Sequence, residues 1–459
     1  MAVKYSWCRG LWTALFIPVW LVFAVSCTHD GGGYDAETAK PIPPAGPKNQ
    51  INMVGHWLNE GDREKLLHEV NNEYEFLNQD VHINMKFPEE LYASTDAAEE
   101  DFIISQLKKP VADWDIIRIK EHYNAIARKL NDPLWGPKYL VDFSKVPGFI
   151  ESHDSFITSR TTLDRAGGII IGPYNEGQLW AIFVNTNVAK KMGIEVKQYG
   201  MTFDDFLGYI KAAYAYNQTH PYIAPIFEQS DWISVEALFR ELFYSLLDSY
   251  QEGLDTKVTP KKIQALQKCY EAMGELAKYK PLIRNRQNIQ WSRDNDFPLR
   301  DSCLFMINGT WMYNIWKLKG ADKMGNVIPC ELPVFKPSDA YIGGYASNFA
   351  VLLNAPHKDA AIKLMMFWCT PQVAEKWVRY TKSPSGVKGS LTTSAFGIDP
   401  YESYMYTMEK KYGVRKFPQS ENQYMIGEKN LTPLRVTEVL EGKIPAEKAF
   451  EEVRKSLPR

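Results

Sequence analysis

Cysteine is scarce in this chain of 459 residues: there are six. Four of them, Cys269, Cys303, Cys330 and Cys369, lie in the main body, form no CxxC and are too far apart for a zinc site. In an exported chain they leave three disulfide pairings open. An excess of either charge is also missing, with 53 basic against 55 acidic residues, so neither nucleic acid nor an anionic surface is favoured as partner. Past the first thirty or so residues no apolar run approaches membrane-spanning length. The eight histidines are scattered without a pair at metal-ligand spacing, and no metal or cofactor is expected. HExxH, GxSxG, a GxGxxG after a strand and GxxxxGK[ST] are all absent. A glycosidase needs only two carboxylates at a separation sequence does not show, so that class stays open. There is no internal repeat.

What the chain does have begins at its amino end. Lys4 and Arg9 precede Leu11–Phe23, an apolar run of 13 residues that is too short to span a bilayer and suits a signal peptide over 1–26. Ala24-Val-Ser-Cys27 resembles the lipobox of bacterial lipoproteins, with Ala24 where a large aliphatic residue is usual. The resemblance implies lipidation of Cys27. Thr28 to Asn49 carries Gly31-Gly-Gly33 and prolines at 41, 43, 44 and 47, a composition that predicts a tether rather than a core.

The body from Ile51 alternates in type. A short strand ends in Gly55-His56-Trp57, and Gly61 onward has the apolar spacing of a helix (Leu66, Leu67, Val70, Tyr74). Val81–Phe87 and Trp114–Ile119 read as strands with a helix between them. This β-α-β-α-β order predicts a largely parallel sheet. Thr202 with Asp205 three residues on is a capping-box signal. Ser234–Tyr250 and Lys261–Lys278 have helical spacing. Leu304–Ile307 predicts a buried strand stopped by Asn308-Gly-Thr310, with Trp311 opening a helix, and ligands bind at such strand ends in open α/β sheets. Gly343-Gly344 leads into a further strand through Phe349–Leu353 and predicts backbone freedom at a crossing.

An apolar strand, an Asn-Gly-x-Trp-like turn, a Pro-bounded strand and a Gly-Gly crossover in this order resemble the extracellular solute-binding proteins of ABC importers. The sugar-type branch that includes maltose-binding protein is the nearest in pattern. Further similar segments are Ile169–Gly193, with Val184 where the family has Tyr, Ala355–Cys369, Ser383-Pro-Ser-Gly-Val387 and Glu441–Phe450. The resemblance implies an α/β, two-lobed periplasmic-binding-protein fold of type II-like form, its lobes of discontinuous sequence joined by a hinge. On this reading 50–155 with 300–340 forms lobe 1, and 156–299 with 345–459 forms lobe 2. It also implies a monomer outside the cytoplasm, anchored by lipid to the cell membrane, that hands ligand to permease subunits without enzymatic chemistry.

A sugar asks for flat apolar surfaces for its C–H faces and directional polar partners for its hydroxyls. Aromatic residues make up 13% of the chain, and they fall beside polar ones at the expected strand ends. Candidates are His56, Trp57 and Glu60; Lys120, Glu121, His122 and Tyr123; Tyr174, Asn175 and Glu176. Later in the chain come Glu228, Asp231 and Trp232; Asn308, Thr310 and Trp311; and Gly344, Tyr345 and Ser347. Structural roles stand beside these: Trp57 as a staple for the first helix, Trp232 as a cover for the next helix, Tyr345 as hinge packing. Trp291, Trp316, Trp368 and Trp377 read as core. A receptor that senses ligand without transport and a secreted carbohydrate-active enzyme are the alternative functions.

Overall fold

Two sheets organise the chain, and strand order shows how it is shared between them. The computed structural model describes residues 49–88, 96–119, 122–153, 169–231, 234–249, 252, 257–338, 341–389, 399–412 and 434–457. The first sheet has the order β2-β1-β3-β9, with β1 Asn49–Val54, β2 Val81–Lys86, β3 Ile116–Arg118 and β9 Phe349–Val351. β1, β2 and β3 are parallel, and β9 is antiparallel to β3. The second sheet has the order β5-β6-β4-β7, with β4 Glu176–Asn185, β5 Ala224–Phe227, β6 Cys303–Gly309 and β7 Val327–Cys330. A short strand, β8 Gly343–Ala346, pairs with the start of β4.

The local signals act as their physics requires. Helix Asp62–Leu77 buries Leu66, Leu67, Val70 and Tyr74, one apolar stripe facing the first sheet. Thr202 and Asp205 form a complete capping box at helix Phe203–Tyr216, with Asp205 N donating to Thr202 Oγ1 (3.1 Å) and Thr202 N to Asp205 Oδ2 (2.9 Å). Helices Val235–Tyr244, Pro260–Ala277, Val436–Leu440 and Ala446–Ser456 pack together beside the second sheet, where Tyr270 Oη donates to Leu434 O. Trp316, Trp368 and Trp377 are buried, as expected of core, whereas Trp291 is only partly so. The four described cysteines are free and buried. No helix among the described residues is long and apolar enough to cross a membrane.

Strand pairing departs from the expected division of the chain in two places. Residues 303–309 and 327–330 hydrogen-bond to β4, not to the strands of 49–118. Residues 349–351 pair with β3 in the first sheet instead of joining 176–185. In addition, β6 continues through Asn308 and Gly309, which the turn signal had placed outside the strand, because both pair across to Ala181 and Trp180. Cross-strand bonding here outweighs the local preference of Asn-Gly for a turn.

Three stretches of chain run between the halves, near 171–176, 346–349 and 383–387, and they bond to one another. Gly177 N donates to Pro384 O (2.7 Å), and Gly386 N to Tyr174 O (2.9 Å). A Cβ on Gly177 would lie 2.4 Å from Pro384 O, so only glycine allows this approach.

Candidate functional site

The carboxyl ends of β1 and β3 in the first sheet meet the start of β4 and the end of β6 in the second. The residue that joins them is Arg63, in the first turn of helix Asp62–Leu77. Its side chain is 4% exposed, and Nη1 lies 3.1 Å from both Glu60 Oε2 and Glu176 Oε1. The guanidinium also stands 5.6 Å from the centre of the Trp377 ring. Asn348 Nδ2 donates to the second oxygen of Glu176. Nε and Nη2 of Arg63 and both amide atoms of the buried Asn175 have no hydrogen-bond partner among the described residues.

Above this polar group stands an aromatic one. Trp57 is buried, with its ring centre 5.7 Å from Phe349, 5.1 Å from Trp377 and 4.7 Å from His56. Its φ of 64° is left-handed, and Asn59 and Gly61 follow with φ of 62° and 61°. This winding folds the loop tightly enough for Glu60 N to donate back to Trp57 O (2.9 Å). The Trp57 ring itself packs against Phe349 of β9 and Trp377, so the bond within the loop is made by backbone alone. Its indole Nε1 has no partner among the described residues.

At the end of β6, Thr310 N donates to Leu179 O (2.8 Å), Leu179 N returns a bond to Thr310 Oγ1 (3.3 Å), and Ser383 Oγ lies 3.0 Å from the same hydroxyl. Trp311 is half-buried and meets Trp180 edge-to-face at 5.3 Å. Gly309 makes this possible, since a Cβ there would sit 1.8 Å from the Trp311 ring. Asn308 Oδ1 accepts from Gly309 N (2.9 Å), while its Nδ2 has no partner among the described residues.

The crossing segments carry other candidates. Tyr174 N donates to His153 Nε2 (3.2 Å), and His153 Nδ1 lies 3.0 Å from Phe149 O. That pair of contacts fits a neutral ring with its proton on Nδ1. Burial holds His153 well below the usual histidine range, at about 4. Gly344 pairs with Gln178 in the β4–β8 ladder, and Ser347 Oγ donates to Phe349 O (3.1 Å). Tyr345 is buried, with its hydroxyl 3.4 Å from Glu409 Oε1.

Burial pushes Glu409 up to about 8. A carboxyl whose folded pKa is raised adds stability that is complete below its unfolded value, near 4.5, and is lost as pH rises through 8. Glu409→Gln is accordingly expected to be close to neutral at pH 5 and stabilising by ~4–5 kcal/mol at pH 9. Urea unfolding of both proteins at the two pH values checks this, and equal differences at both would refute it.

Other candidates stand apart from this group. Glu228 accepts from Ser234 N (2.8 Å), Ser234 Oγ (2.9 Å) and Val235 N (2.9 Å), so its carboxylate caps helix Val235–Tyr244. Burial nonetheless pushes it up to about 7. Asp231 is exposed and accepts from Trp291 N (2.8 Å). His122 faces Glu99 (3.2 Å), whose other partner is Arg118; burial raises the Glu99 carboxyl, but these two neighbours outweigh it and hold it low. Tyr123 packs on Trp135 at 5.0 Å. Lys120, Glu121 and Trp232 lie outside the described residues.

Arg63 and Trp180, which this arrangement brings in, were not among the sequence candidates. One signal was available: a basic residue in a helix's first turn opposes the helix dipole and needs acidic neighbours.

The two sheets with their crossings define a two-lobed binding-protein fold, and comparison with solved structures agrees. The GacH receptor of Streptomyces glaucescens, solved unliganded and with acarbose, aligns with a TM-score of 0.63 at 14% identity, over 89% of this chain and 97% of that one. RafE from Streptococcus pneumoniae aligns at 0.63 and 13% identity, over 90% and 97%. Maltose-bound T. maritima MalE3 aligns at 0.60 and 16% identity, over 89% and 98%. No curated protein matches the chain in sequence. Residues 92–400 match the family model of bacterial extracellular solute-binding proteins, and the chain belongs to that family.

Proposed function

We propose that this protein captures a carbohydrate, an oligosaccharide or glycoside, between its two lobes and delivers it to the permease of an ABC importer. The observation that carries the reading is the half-buried Trp311 ring on Trp180, at the same end of β4 as a guanidinium, a carboxylate and an unspent amide (Arg63, Glu176, Asn175). Aromatic faces suit sugar C–H surfaces, and the polar groups suit hydroxyls. Structural neighbours support it: RafE has been solved with raffinose and a Bacillus licheniformis sugar transporter protein with stachyose. The lobes are the halves centred on the two sheets, closing as rigid bodies about the three crossings. Ligand drives closure by binding the closed form better than the open one. Cys27 carries the lipid that keeps the monomer at the membrane.

The test is a thermal-shift screen against neutral and acidic mono- and oligosaccharides, amino acids, peptides and metal ions. A ligand at a hundred times its Kd adds about 2.7 kcal/mol, or about 5–11 °C for domains of 150–250 residues. Trp311→Ala is expected to keep the fold and lose at least about tenfold in affinity, or 1.4 kcal/mol. A shift with peptides or metals and none with sugars would overturn the carbohydrate reading.

A further inference from the structure

Seven large apolar side chains are left exposed among the described residues, and four of them share one place in the fold. Phe76 (77%), Leu77 (61%), Val111 (60%) and Leu353 (42%) all flank the amino edge of the first sheet. Phe76 and Leu77 end the helix before β2, and Val111 precedes β3. Leu353 follows β9, which runs antiparallel and so finishes on the same edge. Ala112 N donates to Asn354 O (3.1 Å), joining the loops that carry Val111 and Leu353. The four strands span three inter-strand spacings, about 14 Å.

The chain enters this same edge. β1 starts at Asn49, whose backbone N–H donates to Asp80 O (3.0 Å) and whose amide donates to Asp80 Oδ2 (3.1 Å), three residues beyond Leu77. The described chain therefore begins beside the apolar side chains.

We propose that this edge is a membrane-contact surface, with Phe76, Leu77, Val111 and Leu353 resting in the headgroup region of the bilayer that holds the Cys27 lipid. The inference rests on the reading of Cys27 as lipidated. Grouped apolar exposure marks an interaction surface more often than chance exposure does. The link from Cys27 makes docking intramolecular, so a contact too weak to recruit a free protein is populated in an anchored one. Exposed Lys108, near Val111, supplies an ammonium for lipid phosphates. The edge lies opposite the strand ends that build the candidate site, so contact leaves that site facing away from the lipid.

The test uses the full lipidated chain in vesicles of phosphatidylethanolamine and phosphatidylglycerol, with a polarity-sensitive dye on one introduced cysteine. The four described cysteines are buried and do not compete for label. Gln79→Cys places the probe beside the patch, and Leu318→Cys places it on an exposed residue next to the second sheet. The expected result is a blue shift and quenching by brominated lipid at 79 and neither at 318. Phe76→Ser, Leu77→Ser and Val111→Ser together abolish both signals. Retention on vesicles through Cys27 with equal water exposure at 79 and 318 overturns the contact alone. Failure of the vesicles to retain the chain, or equal retention of Cys27→Ser, overturns the lipidation reading and the contact with it.

Discussion

Arg63→Met is expected to lower the unfolding midpoint of the protein by about 6–20 °C, the equivalent of about 3–5 kcal/mol for domains of 150–250 residues. The reason is the state in which it leaves Glu176. That side chain is 1% exposed, and Arg63 is a cation paired with it. Removing one member of a buried pair leaves the other charge in a poor solvent without that partner. Asn348 still donates one bond to the carboxylate, but a neutral amide does not replace a charge. Glu176→Gln should cost less, because Arg63 keeps Glu60 at 3.1 Å. The double change should cost less than the two single changes added together, since neither charge is then stranded. Urea unfolding of the four proteins measures the coupling. A loss under about 1 kcal/mol for Arg63→Met would mean that the pair holds nothing together, as for most exposed pairs.

Trp57→Ala should cost about 3–5 kcal/mol, the usual loss for emptying a large aromatic site. Its ring fills the space between Phe349 and Trp377, and the surrounding rings are too large to collapse into the gap. The backbone adds a test of sign. At φ 64° an alanine keeps the left-handed penalty of about 1–2 kcal/mol, whereas glycine does not. Trp57→Gly is therefore expected to be more stable than Trp57→Ala by up to about 1 kcal/mol, even after glycine's larger loss of chain entropy. In a right-handed or extended position the order is reversed. Finding alanine the better replacement would show that the strain at this loop is relieved some other way.

Much of this architecture was legible because its causes are local. Thr202 and Asp205 are three residues apart and satisfy each other's backbone. Asn185 caps the next helix through Val188 N (2.9 Å). The strand ends around Trp57 and Trp311 were marked by apolar runs that stop at polar and aromatic residues. What sequence did not show is long-range. Whether 303–309 joins β4 and 349–351 joins β3 depends on register between strands far apart in the chain. Glu176 and Asn348 bond across 172 positions, and no spacing rule reaches that far. Glu228 sat in a polar loop after a strand, like a ligand contact, yet its carboxylate turns back to cap the helix six residues on.

The place of β9 has a consequence for how the protein comes to exist. The first sheet opens at Asn49 but is not complete until residues 349–351 lie against β3. A chain threaded through an export channel from its amino end must therefore deliver about three hundred further residues before its first sheet can close. Closing a loop that long has an entropic cost that grows only slowly with length, but contacts so distant in sequence make folding slow. Until then β3 has a free edge, the kind of surface that invites wrong pairing. Truncation anywhere before residue 349 should therefore yield an aggregating fragment and not a smaller binding protein.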